Sequence, residues 1–224
     1  MTIQSIADGV WQVATAHDTN AFLVEEDDGV TLVDVGWAAA PPTIISALAE
    51  IGRPLSDVRR ILITHAHPDH VRGLAGLLRL VPAPVFIHPA DAPWLRAGRV
   101  PVDGRSGFLG NVLDALPLLH WTPVAPAGLL VHDELVGGLR VIHTPGHSPG
   151  HVAFLHEPTR TLLTGDAVFH RGRLAAGPPA LAADPSLRDQ SLHRLPLDVA
   201  AVGFAHGSPL TGDDVGAYRD WLEA

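Results

Sequence analysis

His65-Ala66-His67-Pro68-Asp69-His70 follows directly on Arg60-Ile61-Leu62-Ile63-Thr64, and this junction decides how the chain is read. A short apolar run bounded by a proline-containing turn reads as a buried strand. Four metal-capable side chains then stand within six residues. Imidazole and carboxylate suit zinc, iron or manganese. In extended backbone, residues two apart point the same way, so His65 and His67 can reach one metal. Asp69 and His70 fall where the chain turns into a helix, and they can face a second. A cluster able to seed two metal positions points to hydrolysis. The chain carries 14 His and 24 Asp plus Glu, so such a hexapeptide arises by accident in about one chain in a few hundred of this composition. A solvated, histidine-rich turn is the duller account.

Three downstream features weigh against the duller account. Thr144-Pro145-Gly146-His147-Ser148-Pro149-Gly150-His151 follows the strand-like Leu139-Arg140-Val141-Ile142-His143. Its glycines and prolines fix an unusual backbone path that an unsupported surface loop would rarely need. Thr161-Leu162-Leu163-Thr164-Gly165-Asp166 is a strand ending in a carboxylate that can bridge two cations. Ala201-Val202-Gly203-Phe204-Ala205-His206-Gly207 is an apolar strand ending in a histidine. Each candidate ligand sits at the end of an apolar strand, where loops carry chemistry on a rigid scaffold.

In combination these motifs resemble the metallo-β-lactamase-fold superfamily of metallo-hydrolases, in its glyoxalase II and lactonase-like branch, over nearly the whole length from Asp34 to His206. The resemblance implies an α/β chain folded as a four-layer αββα sandwich, with two mixed β-sheets and metals at one edge. It implies that His65, His67 and His147 hold one divalent ion, that Asp69, His70 and His206 hold a second, and that Asp166 bridges them. Zinc is the expected metal, with manganese or iron as alternatives. Asp34, in Val33-Asp34-Val35-Gly36, is expected to support the ligands from behind. Ala205 stands where relatives often carry glycine, which leaves His206 untouched.

The activity implied is attack of a metal-bound hydroxide on a small ester, lactone or thioester carbonyl. Asp69 is the candidate catalytic group that passes a proton to the leaving group. Glyoxalase II has a sizeable helical extension after its last ligand, whereas here 18 residues follow His206 (224 − 206), which weakens a glutathione-thioester assignment. Flavodiiron relatives carry Glu at the position of His67 and a flavodoxin domain. The alternative of another chemistry is a persulfide dioxygenase with a single iron on His65, His147 and Asp166; His206 argues for a second metal. A non-catalytic metal-binding protein is the third class.

Composition agrees. At 224 residues and 46% hydrophobic content, the chain can form one domain, 1–224, with a substantial core. It has no cysteine, which excludes disulfides, thiolate-bound zinc, iron–sulfur clusters and a thiol nucleophile. The net charge of −9 with no basic run argues against nucleic acid as a partner. Neither a signal-like segment nor an apolar run of membrane-spanning length is visible, so a cytoplasmic enzyme with a small-molecule substrate and no membrane partner is expected.

Patterning predicts strands over Gly9–Val13, Ala21–Glu25, Val30–Val33 and Pro84–His88. Ile44, Ile45, Leu48 and Ala49 mark a helix after Pro41-Pro42; Val71, Leu74, Leu77, Leu78 and Val81 mark one helix after the metal motif. Further helices are expected over Ala90–Arg96, from Asp184-Pro185 to about Leu195, and over Asp213–Leu222. Ala97–Gly110 and Arg171–Pro179 read as long loops near the site. His17, His88, His120, His132, His143, His156 and His193 read as surface or strand-end residues. His151 reads as a supporting group, while His170, Arg171 and Arg173 lie on a loop that either lines the substrate pocket or faces solvent. Trp94, Phe108, Trp121 and Tyr218 read as packing residues, the first three with a pocket wall as the alternative.

Overall fold

Val30, Leu32 and Val33 have no exposed surface, and neither do Ala21, Phe22, Leu23 and Val24 on the neighbouring strand. Strands buried on both faces require cover on both sides, and the computed structural model, which describes residues 3–224, shows what provides it. β1 (Ile3–Ala7), β2 (Val10–Ala16), β3 (Thr19–Glu26) and β4 (Gly29–Val33) form an antiparallel meander. β5 (Val58–Leu62), β6 (Val85–Ile87) and β7 (Gly128–Leu129) extend it in parallel. The second sheet takes β8 (Leu135–Val136), β9 (Leu139–His143), β10 (Val152–His156) and β11 (Thr161–Leu163). After a small hairpin of β12 (Phe169–His170) and β13 (Leu174–Ala175), it gains β14 (Ala201–Gly203) and β15 (Leu210–Thr211). Its order is β15-β14-β11-β10-β9-β8, and only β11 and β14 run parallel.

Alternation along each strand separates three apolar layers. On β3, Phe22 and Val24 point between the sheets, where they meet Val141, Val152, Phe154 and Leu163. Ala21 and Leu23 point the other way, against Ile44, Leu48, Leu74 and Leu77. On β10, Ala153 and Leu155 face outward to Val202, Phe204, Val215 and Tyr218. The helices covering the first sheet are α1 (Pro41–Glu50), α2 (Pro68–Val71), α3 (Leu74–Leu78) and α4 (Ala92–Ala97). α5 (Phe108–Asp114) lies over the site, and α6 (Arg188–Leu192) and α7 (Val215–Glu223) lie on the second sheet's side. Helix, sheet, sheet and helix give the αββα sandwich. Fully buried Phe22, Phe154 and Phe204 each contribute on the order of 2–3 kcal/mol of burial free energy.

Several expected boundaries change for physical reasons. The single helix expected after the metal motif is broken at Gly73, whose N–H bonds Gly36 O at 2.9 Å. A Cβ there would lie 2.7 Å from Trp37 O, so the close approach requires glycine. The helix expected from Asp184 starts as a 3-10 turn, Pro185–Leu187, capped by Asp184, and its α-helical part stops at Leu192, short of Leu195. The two expected loops contain structure: α5 begins at Phe108, and β13 lies within Arg171–Pro179. Phe108 is 84% exposed, so it belongs neither to the core nor to the pocket wall. Trp94, Trp121 and Tyr218 are buried as expected. Among the described residues, no helix is long and apolar enough to cross a membrane.

Candidate metal centre

Every sequence-predicted ligand emerges just beyond a strand. β5 leads through Ile63 and Thr64 to His65 and His67, and Pro68 then starts α2, which presents Asp69 and His70. The turn between β9 and β10 carries His147, Asp166 follows β11, and His206 follows β14. β4 and β5 are parallel, as are β11 and β14, so these ends meet along one edge of the sandwich.

Two clusters result. His65, His67 and His147 form one, with ring centroids 4.5–4.7 Å apart. His67 Nδ1 stands 2.8 Å from His147 Nε2. Asp69, His70, Asp166 and His206 form the other. Asp166 turns Oδ2 towards His147 Nε2 at 3.2 Å and Oδ1 towards His70 Nε2 at 3.2 Å and His206 Nε2 at 3.4 Å. One carboxylate thus addresses both clusters. Asp69 Oδ2 lies 3.3 Å from His206 Nε2. The Nε2 atoms of His65, His67 and His70 and Asp166 Oδ1 are buried without a hydrogen-bond partner. Unpaired buried donors and acceptors are costly; His65 Nε2 in the first cluster, and His70 Nε2 with Asp166 Oδ1 in the second, fit a cation at each.

Behind the two clusters lies a polar frame. Asp34, at φ 58°, is fully buried. Its carboxylate accepts from Thr64 N–H (2.8 Å), the Thr64 hydroxyl (2.7 Å) and His70 Nδ1–H (2.8 Å). The Thr64 hydroxyl in turn accepts from His65 Nδ1–H at 3.0 Å. Both histidines are thereby oriented with Nε2 aimed inward. His151 Nε2 accepts from Asp166 N–H at 2.8 Å and Nδ1–H donates to Thr144 Oγ1 at 2.7 Å, leaving no free nitrogen. Gly165, at φ 53°, allows this contact, since a Cβ would sit 2.6 Å from His151 Nε2. The turn between β2 and β3 supports His206: Nδ1–H donates to Asp18 O at 2.9 Å, and Asn20 N–H donates to Ala205 O at 2.8 Å. Gln12 and Asn20 amides both donate to Gly207 O at 2.9 Å.

Asp91 and Thr64 were missed by sequence reasoning. Asp91 lies in a stretch that reads as the start of a surface helix, where an acidic residue is ordinary. Its side chain makes no cap to that helix; it is fully buried and turned towards the site. No sequence signal separates it from a solvated carboxylate.

Burial dominates the titration of the first cluster. It pushes His65 and His67 well below the usual histidine range, His147 down to about 4 and His151 down to about 3. The second cluster goes the other way. Burial lowers His70 and His206, but Asp166 raises both, with Asp69 and Asp34 adding at His70. His70 ends well above its usual value and His206 at about 10. For Asp69 and Asp166 burial is opposed by these histidines, which hold both carboxyls below the usual range.

The clusters open into a pocket of about 370 Å³, walled by Trp37, Leu113, Leu119, Phe169, Pro178 and Leu181. Arg105 fastens its roof, donating to Asp114 at 2.6 Å and to Leu181 O at 2.9 Å. Of the expected loop residues, Arg171 lines the pocket, pairs with Asp18 at 2.5 Å and lies over Phe169. His170 turns away to donate to Ser208 O at 2.7 Å, and Arg173 is exposed outside the pocket. Trp94 stacks on His67 at 6.0 Å.

The fold is shared with known proteins. A model of the metallo-beta-lactamase superfamily matches residues 14–207. The chain is 35% identical over 173 residues to uncharacterized protein YobT of Bacillus subtilis (strain 168), covering 74% of this chain and 70% of that one. It is 31% identical over 158 residues to a hydroxyacylglutathione hydrolase of Rhodopseudomonas palustris (strain BisA53), covering 70% of this chain but only half of that enzyme. Among solved structures, TTHA1623 in a di-iron-bound form superposes with TM-score 0.70 at 31% identity, over 91% of this chain and 94% of that one.

Proposed function

Because the chain belongs to the metallo-beta-lactamase superfamily, we propose that it is a dinuclear metal-dependent hydrolase of a small ester, lactone or thioester. The observation that carries this reading is the pair of clusters with Asp166 between them, one oxygen towards each. His65, His67 and His147 would hold one divalent ion, and Asp69, His70 and His206 the other, with zinc the first candidate for nitrogen and oxygen donors. Two bound ions would supply Lewis acidity towards a carbonyl oxygen and a water made acidic enough to ionise near neutral pH.

The chain's own residues supply the rest. Leu113, Leu119, Leu181 and Phe169 take the apolar body of the substrate and exclude water from it. Asp34 and Thr64 fix the orientation of His70 and His65. Asp69 lines the pocket and is the most exposed of the clustered groups, with a quarter of its side chain open (26%). It is therefore the group placed to take up the proton released when the attacking water ionises and to pass it on to the leaving group. The second cluster favours this reading over a single-iron oxygenase. The half-length match to hydroxyacylglutathione hydrolase supports a thioester or ester carbonyl as the target.

Elemental analysis with a panel of lactones, esters and thioesters tests the proposal. Two ions per chain and turnover abolished by a chelator and restored by Zn²⁺ or Mn²⁺ are expected. Chelator-resistant turnover, or one iron with oxygen consumption, overturns it.

A further inference from the structure

Asp91 stands away from both clusters in sequence and is not one of their ligands, yet its carboxylate reaches both chain segments that carry the first cluster. Oδ2 accepts from Ala66 N–H at 2.9 Å, between His65 and His67. The same oxygen accepts from the Ser148 hydroxyl at 2.6 Å, and Oδ1 accepts from Gly150 N–H at 2.6 Å, both within the turn that carries His147. Asp91, Ser148 and Ala66 have no exposed surface. Gly150 is needed for the approach: a Cβ there would lie 2.7 Å from Asp91 N and 2.8 Å from Oδ1.

A fully buried carboxylate is costly in a fold unless it accepts several hydrogen bonds. Burial raises Asp91 and its three donors oppose the rise, leaving it at about 6. Among the described residues no cation pairs with it, so it is retained against its desolvation by these donors. All three come from the two segments bearing His65, His67 and His147. Nothing comparable connects Asp91 to Asp69, His70 or His206.

We infer that Asp91 is a positioning residue which clasps the His65–His67 segment to the His147 turn and so sets the geometry of the first metal position, with no hold on the second. The inference rests on the two-metal reading proposed above. Supporting groups behind ligands typically alter metal affinity by about 10–100-fold, and that range is expected here at one position.

The test is stepwise Co²⁺ titration of the metal-free full chain, followed by visible absorption and competition with a chelator. The wild type should take up two ions, with distinct spectra. Asp91→Asn should weaken uptake at one position about 10–100-fold and change its absorption band, with the other unchanged. Ser148→Ala, which keeps the charge and removes one donor, should shift the same position less, and it stands in if Asp91→Asn does not fold. Two unaltered binding steps overturn the inference. So does equal weakening of both steps, which would mark a general structural role. A wild type that takes up no cobalt overturns the two-metal reading itself.

Discussion

Asp34 Oδ2 accepts a 2.8 Å hydrogen bond from His70 Nδ1, and neither side chain has any exposed surface. The same carboxylate holds Thr64, whose hydroxyl receives His65 Nδ1–H. One buried group thus orients a histidine from each cluster. Asp34→Ala strands three buried donors, and breaking a buried pair of this kind costs about 3–5 kcal/mol. Chemical denaturation of the metal-free protein should show that loss; a change under 1 kcal/mol would mean the frame is dispensable.

Asp166 turns one oxygen to each cluster. Asp166→Ala should therefore lower occupancy at both positions, whereas His206→Ala should deplete one. Elemental analysis after dialysis against a weak chelator distinguishes them. Equal stoichiometry in the two variants would contradict the division of roles.

Metal uptake should release protons. In the metal-free chain Asp166 holds His206 protonated up to about pH 10 and keeps His70 charged well above its usual range. An ion taking their Nε2 atoms must displace both protons, so affinity at the second position should rise with pH, approaching tenfold per unit for each proton. Calorimetry in buffers of different ionisation enthalpy counts the released protons. No release at pH 7 would be incompatible with these charges.

His151 makes the stability of the fold rise with pH as well. Its folded value of about 3 lies far below the ordinary 6.5, because burial disfavours the cation. Between those values the unfolded chain binds a proton that the folded chain refuses. The contribution is therefore complete above pH 6.5 and is lost as pH falls towards 3, at up to about 1.4 kcal/mol per unit. His151→Gln keeps an acceptor for Asp166 N–H and removes the titration. Its stability should fall less steeply than wild type between pH 6.5 and 4, read from thermal melts of metal-free protein. Identical slopes would refute the assignment.

Phe154 fills the space between the sheets beside Phe22 and Val141. Phe154→Ala should cost about 3–5 kcal/mol without changing metal stoichiometry. Loss of metal in that variant, while still folded, would tie the interior packing directly to the ligand cage.

The seven clustered side chains were legible because each lies where a local pattern has few meanings, whereas local patterning alone reached only α/β and the αββα layering came from the family resemblance. His65 to His70, His147, Asp166 and His206 all follow apolar strands, and their residue types admit few other purposes. Helix boundaries were less legible. The break at Gly73 depends on a carbonyl at Trp37, thirty-odd positions away, and no periodicity records it. The same holds for Asp91, whose partners Ala66, Ser148 and Gly150 are set by folding alone. Phe108 misled because apolar residues usually pack inward, whereas on α5 it faces water.

Hairpin tips are ordinarily where a chain accepts extra residues without penalty. The tip at His17 and Asp18 has both residues at positive φ, and Asp18 O receives His206. A lengthened loop there would withdraw a bearing surface from the opposite sheet, so this corner is closed to the drift that surface loops usually enjoy. Variation among proteins of this shape should accumulate at other rims and spare this one.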